Sequence, residues 1–377
     1  MLSQVTETKS EPLVWFLHGD KSGDNGQVET ILERLNYQVT RKFLCMREEF
    51  VWGKPRFSAS LHHLDLQKTD VLEPPWPDLI FTVGRRPSMA ALWVRAQSGG
   101  RTKIVLLGKP TGKMHQFDLV IASSENQLPP LANYQAVTLP LMRVDRNAVE
   151  EEAQIWKSKL SPLPKPLVGI LVGGETNPFV MTDAVADDLL AEASRVITQL
   201  GGTPYFTTSR RTPERIRSKL RNELPPEAIL FDWQSASLDN PYKALLGTAD
   251  GFVVTGDSIS MMVEVMRLRK PLQIFPLPVT RLGALDQYRR GFAHWLFNPR
   301  KEKYLDRVRH SVARLVYWVD FFKILCSTRD FRAFHRMLIE KKMATWAGGV
   351  FSPPAGELAD ELDTVIARIN TLMNERP

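Results

Sequence analysis

The 377-residue sequence predicts an α/β protein made of two Rossmann-like halves. Three observations carry that prediction. Short apolar runs alternate with amphipathic helical stretches, the rhythm that winds a mostly parallel sheet. A strand, a glycine-bearing loop and a helix stand at the start of each half: Leu13–Leu17 followed by His18–Leu35, then Leu167–Val172 followed by Gly173-Gly174 and a helix over Asp183–Gln199. Between the halves, Pro162, Pro164 and Pro166 disfavour helix and suit a semi-rigid connection. The expected division is an amino-terminal domain over 11–160, a second domain over 161–300 and a helical region over 301–377.

Composition narrows the class. Hydrophobic residues make up 43% and charged residues 24%, the balance of a soluble globular chain rather than a disordered or membrane-spanning one. The two cysteines, Cys45 and Cys326, provide neither a disulfide framework nor a cysteine-based zinc site, so a reducing compartment is expected. The amino terminus, MLSQVTETKSEPLVWF, lacks the basic flank, apolar core and cleavage site of a secretion signal. No apolar run approaches the ~20 residues that span a bilayer. The expectation is a cytoplasmic protein. A net charge of +7 fits an anionic partner such as a nucleotide or an acidic lipid surface, and charge alone does not choose among such partners.

In the first half, residues 1–10 read as a polar tail and Leu13–Leu17 as a buried strand. The stretch His18–Leu35 is a Gly-rich loop opening into a helix, with Asp24 or Asn25 as its cap. His18, Asp20, Lys21, Ser22, Gly23, Asp24, Asn25 and Gln27 make the loop dense in polar and flexible residues, and such a loop permits close backbone approach to a ligand. The competing reading is a surface loop of turn formers. Val39–Leu44 reads as a second strand, and Cys45–Trp76, with Pro55, Pro74 and Pro75, as irregular. His62 and His63 are adjacent and cannot both face one metal from a regular helix, so they read as surface or groove residues. The strand Asp78–Val83 ends in Gly84-Arg85-Arg86-Pro87-Ser88, at the start of a helix over Met89–Gln97. That turn is either a second anion contact or a solvent-facing helix start. Lys103–Leu107 and Phe117–Ala122 continue the strand rhythm, and Asp145–Leu160 is helical. Gly-Lys-Pro-Thr-Gly-Lys, ending just before Met114, lacks the residue order of a nucleoside-triphosphatase phosphate loop.

In the second half, Gly173, Gly174, Glu175 and Thr176 occupy the first loop at the carboxyl edge of the sheet. The strand Pro204–Thr208 runs into Ser209-Arg210-Arg211-Thr212-Pro213, where Thr212 can cap a helix and Arg210 and Arg211 either neutralise a pyrophosphate or stay solvated at the surface. Ile229–Phe231 is a further strand, and Trp233 either stacks on a base or packs in the core. The central stretch is Gly251–Pro278: a strand over Phe252–Thr255, a turn at Gly256, a helix over Ser258–Leu268 capped by Asp257 or Ser258, and a strand over Leu272–Phe275. A phosphate is expected against Gly256–Ser260, including Asp257, Ser258 and Ser260, with Glu264 on the following turns accepting from a sugar hydroxyl. The bland reading is one ordinary βαβ unit. From Arg281 the chain reads as basic helices in which Trp295, Trp318, Phe321, Phe322 and Phe334 mix with Arg289, Arg290, Arg307, Arg309, Arg314 and Lys323. Such helices either lie in a membrane interface or bury their aromatics between domains.

Four blocks taken together, Trp15–Gln27, Gly173-Gly174, Ser209–Pro213 and Thr255–Ser258, resemble the elongated-mitochondria family, predicted GT-B glycosyltransferase-like proteins found widely in bacteria and as plant mitochondrial-fission factors. The resemblance covers most of residues 13–298. It implies a GT-B-like fold, two Rossmann-like domains with parallel sheets facing a cleft, followed by carboxyl-terminal helices of which the last, Glu357–Asn374, crosses back to the first domain. It also implies a donor site at the Gly256–Pro271 segment, with Glu264 on the ribose, Gly173, Gly174 and Arg210 near phosphate, and Gln287 orienting the sugar. No Asp-x-Asp triplet occurs, so no metal and no cofactor is expected, and helix amino ends and cations are left to hold the diphosphate.

The expected activity is transfer of a sugar from a nucleotide-sugar donor to an unidentified acceptor, a lipid or a cell-envelope glycan being candidates, with Asp20, Asp24 or His18 as general base. The partners expected are the nucleotide sugar and an anionic membrane surface or lipid-linked acceptor, with peripheral attachment to the inner face of a membrane and no nucleic acid. Two other classes stay open: a non-catalytic membrane-associated scaffold and a nucleotide-sugar epimerase.

Overall fold

The computed structural model describes residues 11–19, 22–35, 37–52, 55–110, 114–129, 131–233, 239–297, 311–312, 315, 329–356 and 360–375. The chain divides into two compact units, one comprising Met1–Leu141 with Asp360–Pro377 and the other Met142–Ala359.

The first unit carries β1 (Val14–His18), α1 (Ser22–Leu32), β2 (Val39–Phe43), α2 (Glu48–Trp52), β3 (Leu79–Val83), α3 (Arg85–Gln97), β4 (Lys103–Leu107), β5 (Leu119–Ser123) and β6 (Tyr134–Val137). All pairings are parallel and the strand order is β2-β1-β3-β4-β5-β6. Val14, Phe16, Leu79, Phe81, Val105 and Ile121 bury one face of the sheet, each central strand being apolar on both sides because helices cover both faces. Strand order reverses between β1 and β3, so the loops after these strands meet at the switch point. Gly19 lies so close to the start of α3 that a Cβ there would be 3.1 Å from Pro87 Cγ.

The second unit begins with α4 (Arg146–Ile155) and α5 (Lys157–Leu160) and continues with β7 (Leu167–Leu171), α6 (Asp183–Leu200), β8 (Thr203–Thr207), α7 (Glu214–Glu223) and β9 (Ile229–Phe231). It then adds α8 (Tyr242–Thr248), β10 (Gly251–Thr255), α9 (Ile259–Arg267), β11 (Leu272–Phe275), α10 (Arg281–Phe297), α11 (Phe331–Glu340) and β12 (Thr345–Trp346). Its sheet is again all parallel, in the order β12-β11-β10-β7-β8-β9, and reverses between β7 and β10. Gly169 pairs in register with Phe252, and the ring occupies the place of a side chain, since a Cβ on Gly169 would be 2.6 Å from it. Asp145 Oδ1 accepts from Ala148 N at 3.0 Å and caps α4, which packs on α8 where Gly247 lets the helices approach. The proline stretch is packed within this unit: Pro164 O accepts from Thr203 Oγ1 at 2.9 Å and Pro166 O from Thr203 N at 3.0 Å. The last helix, α12 (Leu362–Asn374), lies on the first sheet through Leu362, Val365 and Ile369.

The α/β class and the two parallel sheets match the sequence reading, and most strands fall within a residue or two of their expected bounds. Four local readings are corrected. Helix α1 starts at Ser22, so Asn25 lies in its first turn rather than at its cap. Helix α7 starts at Glu214 after Pro213, and Thr212 does not cap it because its hydroxyl is drawn to Val172 O and Gly173 O. His63, read with the exposed His62 as a surface or groove residue, is fully buried, its Nε2 donating to Arg86 O at 2.9 Å. The two arginines of the α3 turn serve the backbone of the irregular segment: Arg85 donates to Pro55 O and Arg86 Nη1 to Val51 O at 3.1 Å. Strands β6 and β12 were not anticipated. The helical reading of Arg307, Arg309, Arg314, Trp318, Phe321, Phe322 and Lys323 lies outside the described residues.

Candidate functional site

Three loops of the second unit converge at its switch point, each following the carboxyl end of a parallel strand: Gly173-Gly174 after β7, Ser209–Thr212 after β8 and Gly256–Ser258 after β10. Asp257 is their hub. Its buried carboxylate accepts from Gly174 N at 2.9 Å and from Thr255 Oγ1 at 2.8 Å, and Arg211 Nη2 sits 3.0 Å from Oδ2. Burial raises its pKa, while the Gly174 amide, Arg211 and the Thr255 hydroxyl pull the other way. Thr255 Oγ1 also accepts from Gly173 N at 2.8 Å. Both glycines are sterically required, since a Cβ on Gly173 would be 2.4 Å from the Asp257 carboxylate and one on Gly174 would be 2.2 Å from Arg211 O.

In this network Thr255 and Asp257 already occupy both Gly-Gly amides. The groups left to meet an anion are Arg211, whose side chain is 44% exposed, and the first turn of α9, whose amides have no carbonyl four residues back within the helix. Ser258 is at the N-cap without a side-chain cap bond; its hydroxyl lies 3.3 Å from Asp257 Oδ2 and 3.4 Å from Arg211 Nη2. Ser260, next in α9, is exposed, as is Arg210. Arg211 Nη1 also donates to Thr176 Oγ1. Ser209 Oγ donates to Gly173 O at 2.9 Å and ties the β8 loop to the β7 loop.

Other predicted donor residues have hydrogen-bond partners of their own. Glu175 accepts from Arg215 and from Met181 N at 3.3 Å, folding the 175–181 loop onto α7. Glu264 accepts from the Tyr242 hydroxyl, and burial raises the pKa of its carboxyl against that hydrogen bond. Gln287 Oε1 accepts from Arg332 Nη1 at 3.0 Å, between α10 and α11. Gly256 is held from α11, where His335 Nε2 donates to its carbonyl at 2.8 Å. Burial lowers the His335 pKa to about 4 despite the Gly256 carbonyl and Asp330, so the imidazole is neutral. His335 carries no signal in the sequence, whereas Thr176 stands in the loop after β7 and Thr212 and Thr255 stand within family-like blocks, though none of the three is assigned a ligand role there.

In the first unit, Asn25 closes the loop after β1. Its Oδ1 accepts from Gly19 N at 3.2 Å and its Nδ2 donates to Gly19 O at 2.7 Å, with His18 Nδ1 3.1 Å from Nδ2. His18 is half-buried against Phe16 and Phe43, and Gln27 is half-buried. Asp20 and Lys21 lie outside the described residues, and Ser22, Gly23 and Asp24 form the first turn of α1. Among the described residues no group of three or more His, Cys, Asp and Glu is placed to hold a metal ion. No helix among them is long and apolar enough to cross a membrane.

A family model described as mitochondrial fission ELM1 matches residues 22–293. An uncharacterized protein of Rickettsia prowazekii (strain Madrid E) is 22% identical over 299 residues, covering 70% of this chain and 83% of the relative. The mitochondrial fission protein ELM1 of Arabidopsis thaliana is 24% identical over 308 residues, covering 73% of this chain and 71% of its own. A solved glycosyltransferase structure from Rickettsia africae ESF-5 superposes with a TM-score of 0.46 at 11% identity, covering 97% of this chain and 98% of that one.

Proposed function

This chain belongs to the mitochondrial fission ELM1 family, and on that footing we propose that its second unit binds a nucleotide sugar and that the protein transfers the sugar to an acceptor hydroxyl. The observation that carries the reading is the meeting of three loops at the β7/β10 switch point, with the exposed Arg211 held by Asp257 beside the first turn of α9. Open parallel sheets bind ligands at such a point, and a helix amino end with an adjacent guanidinium suits a diphosphate.

In the proposed reaction the diphosphate lies against Gly256–Ser260 and is neutralised by Arg211 and Arg210. Glu264 reaches the ribose once it exchanges its Tyr242 bond for a sugar hydroxyl, and Gln287 orients the sugar. A general base, for which Asp20, Asp24 and His18 are the candidates, takes the proton of the acceptor hydroxyl as its oxygen attacks the anomeric carbon. The bond to the diphosphate oxygen breaks, and the leaving nucleoside diphosphate keeps the electron pair, stabilised by the cations and the α9 amino end. Titration calorimetry against a panel of nucleotide sugars tests the binding, and product analysis with and without added acceptors tests the chemistry. Glu264→Ala should weaken nucleotide binding about tenfold or more. Absence of binding across the panel defeats the proposal, and conversion of the donor without any acceptor would favour an epimerase.

A second reading, attachment to a membrane surface as a non-catalytic scaffold, is favoured by one observation. Tyr288, Phe292 and Trp295 form a stripe along α10 and are 72%, 42% and 40% exposed. Exposed aromatics at helical spacing suit the headgroup region of a bilayer. Liposome co-sedimentation that is lost in a Phe292→Ser/Trp295→Ser variant, together with no nucleotide binding, is the outcome that would establish it.

A further inference from the structure

A second cationic site lies between α10 and α11 of the second unit. The two helices enclose a cavity of about 390 Å³ bordered by Asp286, Arg290, Arg329, Asp330, Arg332 and Arg336. That size falls in the range of small-molecule pockets and exceeds what a bare inorganic ion fills. Among the described residues that border it, four arginines against two aspartates leave an excess of two positive charges. The aspartates are engaged structurally. Asp286 Oδ2 accepts from Arg290 Nε at 2.8 Å and Asp286 also pairs with Arg289, while Asp330 Oδ1 caps α11 by accepting from Ala333 N at 2.9 Å.

Arg290 is the informative residue. It is 6% exposed, and its buried Nη2 has no hydrogen-bond partner among the described residues. An unpartnered buried guanidinium nitrogen is costly, and native proteins rarely keep one without a role. Arg332 and Arg336, one turn apart and both exposed, border the cavity from α11. The cavity therefore combines a buried fork with a cationic rim, at the amino end of a helix.

We propose that this cavity binds a phosphate ester, with the phosphoryl oxygens taken by Arg290 Nη2 and by the guanidinium groups of Arg332 and Arg336. A phosphate monoester dianion balances the two excess positive charges, which a carboxylate does not. None of the arginines belongs to the Gly173–Asp257 cluster, but Gln287, assigned above to the donor sugar, lines the same cavity and accepts from Arg332, so Arg211 of the α9 cluster is the residue that separates the two readings. The same ligand chemistry exists in soluble phosphate esters and in lipid headgroups.

The test is titration of the full-length chain with glycerol 3-phosphate, with glycerol as the uncharged control and phosphatidic acid vesicles in parallel. Saturable binding of glycerol 3-phosphate is expected, weakened at least about tenfold in Arg332→Gln/Arg336→Gln and unchanged in Arg211→Gln, with circular dichroism reporting the fold of each variant. Arg336→Lys, which keeps the charge but loses the fork, should give a smaller loss and serves if the double variant misfolds. Binding to vesicles alone, with the same dependence on α11, assigns the phosphoryl group to a lipid. Absence of saturable binding to either probe overturns the proposal. So does binding that ignores the α11 substitutions and disappears in Arg211→Gln, which would place the phosphate at α9.

Discussion

Asp257 shows how one side chain can decide whether a site exists. It accepts the Gly174 amide and the Thr255 hydroxyl and holds Arg211, so the three loops of the switch point share one buried acceptor. Asp257→Ala leaves the Gly174 N–H without its partner and should destabilise the protein by about 1–3 kcal/mol in urea unfolding. Gly174→Ala acts differently: the added Cβ would be 2.2 Å from Arg211 O, so the 209–212 loop must shift. That variant should lose nucleotide binding by about tenfold or more while the rest of the unit keeps its circular dichroism spectrum. Arg211→Gln should weaken nucleotide diphosphates more than the parent nucleosides, since only the former bring charge to the guanidinium. Equal loss for both would remove Arg211 from the diphosphate site.

At the scale of elements, α11 is latched to the site through His335. Its pKa falls from 6.5 to about 4, because burial penalises the imidazolium and Arg332 opposes it, outweighing the Gly256 carbonyl and Asp330. A folded-state pKa below the unfolded one means that protons bind the unfolded chain preferentially. The contribution of a neutral His335 is therefore complete above about pH 6.5 and is lost progressively as pH falls toward 4, by up to about 3 kcal/mol. Unfolding of the second unit should show this slope between those limits, and His335→Gln, which retains a donor, should flatten it. His63, also lowered to about 4 by burial, imposes the same window on the first unit through its bond to Arg86 O. Separate probes of the two units are therefore needed to resolve the His335 effect.

For the whole molecule, the chain does not finish where its second sheet finishes. Helix α12 returns to the first unit, where Leu362, Val365 and Ile369 complete the core under Val14, Phe16 and Leu79. Glu361 accepts from Thr138 N and Oγ1, and Arg368 Nη2 donates to Ala132 O, fixing the helix along β5 and β6. Ile369→Ala should cost about 2–5 kcal/mol. Hydrogen exchange should show the loss in β1, β3 and β5, with the second-unit strands unaffected; equal loosening of both sheets would mean that the units unfold as one. What the sequence determined by itself was local: apolar runs that must be buried on both faces, glycines at strand ends, and the α/β rhythm that makes both sheets parallel. The four family-like blocks were also visible, because each is a short run of residues. Strand order and the partners of each polar group were decided by tertiary structure. Gly173 and Thr255 are 82 positions apart and meet only because β10 lies beside β7. Thr212 looked like a helix cap because the residues near it allow one, yet two carbonyls of another loop claim its hydroxyl. Hydrophobic periodicity is a property of neighbours along the chain, whereas hydrogen-bond pairing at a sheet edge depends on which strands become neighbours in space.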